Sequence, residues 1–303
     1  MAVKTVQAII NGVTTTLTYN SSTKKYEATI TAPATSSYNN NDGHYFPVTI
    51  KATDEAGNVT TKNDTDATLG SSLRLRVKEK TAPAITITYP TASALITNNK
   101  PSIAWKVTDA DSGVNSDSIK ITIDSGSAIT AGITKTAITG GYQCTYTPTA
   151  ALSDGSHTIK IDAADNDGNA AVQKSVTFKI DTVPPTLSVT APTNGLITNK
   201  AACTVTGTTN DITSSPVTVT VKLNSGSAEA VTVGADGSFS KALTLVSGSN
   251  TITVVATDSA GKSTTVTRTV TLDTVAPTIK AVTLTPNPVD AGKTYVISVE
   301  VTD

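Results

Sequence analysis

One phrase occurs three times in this chain and sets the size of the folding unit. It reads ATDEAGN at 52–58, AADNDGN at 163–169 and ATDSAGK at 256–262. A Thr/Val-rich run follows each copy, and then a Pro-bearing joint: EKTAPAI at 79–85, DTVPPTL at 181–187 and DTVAPTI at 273–279. The aspartates of the phrase, Asp54, Asp165 and Asp258, lie 111 and 93 residues apart. A period near 100 belongs to whole domains, because solenoid units run only about 20–50 residues. The expected division is 1–80, 81–182, 183–275 and 276–303, the last being about a quarter of a period.

Apolar residues alternate with Thr or Lys along almost every segment. SIKITID at 118–124, HTIKIDA at 157–163, VTVTVKL at 217–223 and NTITVVA at 250–256 each put one face toward a core. Turn pairs separate them, among them Ser125-Gly126, Gly140-Gly141, Asp154-Gly155, Asp236-Gly237 and Ser247-Gly248. No ten-residue window carries helical spacing. Aromatics are 4% of the chain, with a single Trp, so the cores must be built from β-branched aliphatics, which favour strands. The fold class expected is all-β: tandem immunoglobulin-like β-sandwiches of about seven strands each. Residues 1–80 read as a variant sandwich. The prolines Pro83, Pro184, Pro185 and Pro277 stiffen the joints, which would make the array an elongated rod on the order of 100 Å, at about 3.3 Å per strand residue.

The second and third repeats also align internally, LITNNKP at 95–101 with LITNK at 196–200 and IDSGSA at 123–128 with LNSGSA at 223–228. The pattern ATDxAGN, a strand-length run, then DTxxPT resembles the bacterial immunoglobulin-like repeats of surface adhesins and phage tail proteins. The likeness covers 82–303 well and 45–80 in part. The N-terminal region resembles immunoglobulin-like proteins encoded among Firmicute prophage tail genes. The resemblance implies a non-enzymatic structural protein of the virion, a fibre or spacer at the tail or baseplate periphery. The alternative it implies is a stalk fragment of a bacterial cell-surface adhesin.

Charge and segment composition narrow the partners. Net charge is −1, and no basic stripe invites nucleic acid. No 18-residue apolar run spans a membrane. The start, MAVKTVQAIINGVTTT, has no apolar core of a secretory signal, so synthesis in the host cytoplasm without that route is expected. Cys144 and Cys203 fall in different repeats and are read as buried thiols rather than a disulfide. Trp105, with Ile103 and Val107 on the same strand face, is read as core.

No catalytic residues are expected: His44 and His157 are 113 residues apart, and no metal-type Cys or His spacing exists. In a sandwich of this topology the B–C and F–G loops return to the pole beside the preceding joint. Asp109, Asp111, Asp165 and Asp167 would then crowd near Glu79 and could hold Ca²⁺ through their oxygens. Some adhesin repeats of the resembled kind stiffen joints in this way. The competing reading is that D-x-x-G-N is a turn, with Asp accepting backbone N–H groups and Gly supplying positive φ. In the third repeat Asp211 and Asp258 would lie near Asp181, but Lys262 replaces the Asn, which argues against a cation there.

Two further places carry binding expectations. SSYNNNDGHYF at 36–46 gathers Tyr38, His44, Tyr45 and Phe46, a recognition-loop composition suited to a tail-protein partner or a host-surface glycan. The alternative is that Phe46 and one Tyr plug a small core. After Pro277, two strands with an apolar face cannot bury it alone. They would pack on the third domain, pair with another copy or tail protein through 278–303, or belong to a longer repeat array cut inside this unit.

Overall fold

The computed structural model describes residues 2–303, and strands dominate it. Its only helices among the described residues are the 3₁₀ segments Gly70–Leu73 and Ser116–Ser118, and no helix is long and apolar enough to cross a membrane. The chain forms two compact units, residues 1–180 and 181–303.

The first unit begins with a single sheet. Lys25–Glu27, Val13–Asn20, Val3–Ile10, Phe46–Asp54 and Val59–Lys62 lie side by side in that order, and Arg74–Leu75 pairs with Phe46–Asp54. The variant sandwich expected over 1–80 is therefore corrected to one sheet. The stretches between its strands, 28–45 and 63–69, are rich in Thr, Ser, Asn and Asp and form no strand, so no second sheet covers the first. The hydrophobic residues buried in this region are Ala8, Phe46 and Leu73.

The rest of the first unit is a sandwich. One sheet runs Thr134–Ile138, Gly141–Tyr146, Ile103–Thr108, Ala84–Tyr89; the other runs Lys120–Ile123, Gly155–Asp162, Lys174–Ile180, Leu95–Ile96. In immunoglobulin lettering these are DEBA and CFG, the short Leu95–Ile96 strand adding to G in parallel. Alternation puts Ile103, Trp105 and Val107 inward from one sheet and Ile159, Ile161, Phe178 and Ile180 from the other, all fully buried. Each such side chain contributes about 1.5–3 kcal/mol of burial.

The second unit repeats the plan with one strand moved. Thr186–Ala191, Ala202–Asn210 and Ser238–Thr244 form the ABE sheet. Leu196–Thr198, Ser263–Leu272, Gly248–Thr257, Thr218–Leu223 and Glu229–Val231 form the other, so the fourth strand pairs with C rather than with E. Val205, Val219, Val221, Ile252, Val254, Ala256 and Val270 make its core.

Thr278–Thr285 and Val296–Thr302 pair as an antiparallel hairpin, every residue of which is exposed. It does not pack on the sandwich before it. A register shift between Ile279 and Ala281 aligns Ile279 with Val301, Val282 with Val299 and Leu284 with Ile297. Six aliphatic side chains thus share one face, and Thr, Ser, Ala and Glu300 dominate the other.

Candidate functional site

The repeated phrase forms the turn between the last two strands of each sandwich, and between Phe46–Asp54 and Val59–Lys62 in the first sheet. In all three copies the Asp Oδ1 accepts the N–H four residues on: Asn58 at 2.8 Å, Asn169 at 2.7 Å and Lys262 at 2.9 Å. Gly57, Gly168 and Gly261 take φ of +88°, +95° and +83°, which glycine adopts freely and which fixes the invariant spacing of the phrase. In two copies the Asn amide closes the second oxygen as well, Asn58 Nδ2 donating to Asp54 Oδ2 at 2.9 Å and Asn169 Nδ2 to Asp165 Oδ2 at 2.6 Å. The Asn58 amide, and then its N–H, hold the half-buried Asp54 carboxyl below the usual range. Lys262 offers only its main chain. Asp258 Oδ2 is left buried with no hydrogen-bond partner.

These turns bring carboxylates together at one pole of each sandwich. In the first unit one oxygen each from Glu79, Asp109 and Asp165 lie within 4.8 Å of one another; in the second unit the same holds for Asp181, Asp211 and Asp258. The positions correspond, Glu79 to Asp181 and Asp109 to Asp211 at an offset of 102, Asp165 to Asp258 at 93. The four carboxylates expected to crowd at the first joint are not the set that converges. Asp109 and Asp165 do, with Glu79, whereas Asp111 turns both oxygens to the Ser36 N–H at 3.0 and 2.9 Å, and Asp167 Oδ2 accepts the Glu79 N–H at 3.0 Å. The unpaired backbone donors of the joint draw these two carboxylates away. Glu79 Oε1 accepts the Ser112 N–H at 2.6 Å, and Asp109 Oδ1 accepts those of Asp111 and Gly113 at 3.1 and 2.8 Å. The turn reading thus describes most of what these aspartates do.

The aromatic loop is folded onto its own chain. Phe46 is buried and starts a central strand of the first sheet. Tyr45 donates to Asp64 Oδ2 at 2.8 Å and lies under the Arg74 guanidinium, 4.9 Å from its ring centre. That hydrogen bond to Asp64 comes first among the causes that raise the Tyr45 pKa. Tyr38 stacks on exposed His44 at 4.0 Å between ring centres, and His44 Nδ1 meets the Tyr38 carbonyl at 2.6 Å. Of the four residues expected to bind, Tyr38 and His44 remain paired at the surface, beside a cleft lined by Ser37, Arg76, Lys78, Asn166 and Asp167. The latch of Ser36 and Asn39 onto Asp111 had no signal in the sequence, because it joins residues 75 and 72 positions apart.

At the opposite pole of the first sandwich, His157 is buried between Asp124 Oδ2 at 2.8 Å and the Ser153 carbonyl at 2.7 Å. Cys144 and Cys203 are free thiols; burial pushes Cys144 up to about 11. Trp105 is fully buried, and its Nε1 has no partner.

Comparison with known proteins gives the class to which these sheets belong. Residues 83–182 match the family described as bacterial Ig-like domain, and residues 185–274 match glucodextranase, domain B. The fold is all-β, with tandem immunoglobulin-like β-sandwiches. Among curated proteins it is 34% identical over 135 residues to bacillopeptidase F of Bacillus subtilis (strain 168), covering 45% of this chain and 9% of that protein. Among solved structures it is similar to the fibronectin(III)-like modules of Clostridium thermocellum CbhA, at 18% identity and TM-score 0.34, covering 63% of this chain and 94% of that one. Titin domains A168-A170 give 13% identity and TM-score 0.41, covering 76% and 74%. Sidekick-1 immunoglobulin domains 1–4 give 10% and 0.39, covering 90% and 68%.

Proposed function

We propose that this chain is a non-enzymatic structural and binding protein of a phage or phage-derived tail, a spacer at the tail or baseplate periphery of the virion. The observation that carries this reading is the hairpin of residues 278–303, whose six aliphatic side chains face solvent after two complete sandwiches. An amphipathic two-stranded sheet is unstable alone in water and is completed by further strands. In a tail assembly a second copy or another tail protein could supply such strands by edge pairing, and the resemblance of the repeat phrase to tail proteins supports that setting. The stacked Tyr38–His44 pair and its polar cleft would suit a host-surface glycan.

Native mass spectrometry of the full chain tests the assembly. Self-association that Leu284→Lys with Val299→Lys abolishes supports pairing through the hairpin; a monomer that also captures no tail protein removes it. The second reading, the stalk of a bacterial surface adhesin, is favoured by the bacterial Ig-like match over residues 83–182. Antibody detection in fractionated cultures separates the two: sedimentation with tail particles supports the first, and retention in the cell wall supports the second.

A further inference from the structure

We propose that the cleft between the Tyr38–His44 stack and residues 76–78 binds an acidic saccharide, by one sugar ring that carries a carboxylate. The site rests on the reading of the aromatic loop as a glycan contact and adds the chemistry of that glycan.

One wall is cationic. Burial alternates residue by residue from Arg74 to Lys80, so Arg74, Arg76, Lys78 and Lys80 are exposed while Leu75, Val77 and Glu79 are half-buried. Arg74 is taken up by the Tyr45 ring, whereas Arg76 and Lys78 line the cleft. The ion pairs among the described residues join Lys62 to Asp66, His157 to Asp124 and Lys241 to Glu229, so no ion pair neutralises either cation. Lys78 Nζ donates to a main-chain acceptor, the Asp167 carbonyl, at 2.9 Å. The planar guanidinium fork of Arg76 matches a carboxylate with two parallel hydrogen bonds.

The facing wall is preorganised. His44 holds φ of +58°, a left-handed conformation that a non-glycine residue keeps when its surroundings impose it. Three contacts do so. Its carbonyl accepts the Ser37 hydroxyl at 2.9 Å, its Nδ1 meets the Tyr38 carbonyl at 2.6 Å, and its ring lies 9° from parallel to Tyr38. Nδ1 faces a carbonyl and so carries the proton, which leaves Nε2 and the outer face of this exposed ring for a ligand. Buried Ser37 ties the two walls together, since its Oγ also accepts the Val77 N–H at 3.0 Å.

The third side supplies acceptors. Asn166 Nδ2 is spent on the Ser112 carbonyl at 2.9 Å, and Asp167 Oδ2 on the Glu79 N–H at 3.0 Å; the other oxygen of each side chain is left to accept hydroxyl groups. An aromatic face, hydroxyl acceptors and a guanidinium fork around one opening are what an acidic sugar needs. The cleft holds about 190 Å³, below the roughly 300–1,000 Å³ of pockets for larger ligands, so it admits one ring of a chain. Asp167 repels a doubly charged phosphate more than a singly charged carboxylate. Nucleic acid, held through about 6–10 phosphate contacts, finds two cationic side chains in the cleft.

The test is isothermal calorimetry of the full chain with trigalacturonic acid at low salt, set against neutral galactotriose, inorganic phosphate and oligothymidylate. Trigalacturonic acid is expected to bind, and the other three at least about tenfold more weakly. Arg76→Gln is expected to weaken binding about tenfold or more, as loss of one partner of a charge pair does. His44→Gly removes the ring, and glycine is at ease at positive φ, so it should weaken binding by a similar factor while circular dichroism shows the chain still folded. Lys280→Gln, the same charge change in the second unit, should alter binding less than about twofold. Equal binding of galactotriose that His44→Gly weakens overturns the acidic class and upholds the glycan contact. Tighter binding of phosphate or oligothymidylate overturns the saccharide. No binding of any probe, or binding of trigalacturonic acid that neither Arg76→Gln nor His44→Gly weakens, overturns the site and leaves the hairpin assembly, read by native mass spectrometry, untouched.

Discussion

The two sandwiches solve the same geometry with opposite side chains. In the first, Trp105 on strand B pairs with Cys144 on strand E; in the second, the corresponding pair is Gly207 with Phe239. Bulk sits on B in one and on E in the other, and small residues face it. At one pole His157 bridges Asp124 and the Ser153 carbonyl, where the second sandwich has Asn250 bonded to Val246 and Asn224. At the other pole Asn169 closes Asp165, where Lys262 leaves Asp258 open. The difference teaches that main-chain turns specify the fold, while the groups packed beneath them trade volume and charge as pairs. Asp124 and Asn224 show the constant part: both take positive φ, 53° and 50°, and both accept the N–H across the sheet, from Thr158 and Thr251.

The volume trade gives the largest expected effect. Trp105→Gly should cost at least about 3–5 kcal/mol, as loss of a fully buried aromatic does. Adding Cys144→Phe rebuilds the Gly207–Phe239 arrangement and should recover about 1 kcal/mol or more, a coupling typical of residues in contact. Chemical denaturation of the single and double variants checks this; strictly additive losses would break the comparison. The reverse change, Gly207→Ala, places a Cβ 2.3 Å from the Ser188 carbonyl and 2.5 Å from the Phe239 ring. Overpacking against backbone should cost about 1–3 kcal/mol or more, read as a lowered denaturation midpoint.

The poles give the next effect. Asn169→Lys in the first unit removes the amide that closes Asp165 Oδ2, a nearly fully buried carboxylate. Leaving such an acceptor unsatisfied should cost about 1–3 kcal/mol without added cation. Hydrogen exchange in the strand Gly155–Asp162 reports on that unit, and unchanged protection would show that Asn169 does not hold the turn.

What was legible in the sequence was whatever is local. Alternation along segments such as VTVTVKL placed the strands, and the D-x-x-G spacing placed the turns, because each depends on residues within one strand or loop. Trp105 was legible as core for the same reason. The single sheet of the first region was not, since its repeat phrase promises a sandwich while the polar stretches 28–45 and 63–69 form no strands for a second layer. At the first joint the convergence of Glu79 with Asp109 and Asp165 follows loop return, but the diversion of Asp111 and Asp167 depends on backbone donors at Ser36 and Glu79 that come from distant segments. That Lys262 leaves Asp258 Oδ2 without a partner was not legible either, because charge was weighed there and the loss of the Asn amide, which closes the same oxygen in the other two copies, was not.

The smallest effect sharpens the comparison through pH. Burial alone would lower the His157 pKa, but the Ser153 carbonyl and the Asp124 carboxylate outweigh it and raise the ring above its ordinary value near 6.5. A group raised in the folded state stabilises fully below that ordinary value, and its contribution is lost as pH rises through the folded value. The first sandwich should therefore lose protection as pH rises above about 6.5. The second should not, because Asn250 holds the same bridge without titrating. His157→Asn should flatten the first sandwich's profile to match the second, measured by hydrogen exchange in Gly155–Asp162 against Gly248–Thr257. A pH slope that persists in the variant would move the titrating group elsewhere in the unit and separate the two poles' chemistry from the fold they share.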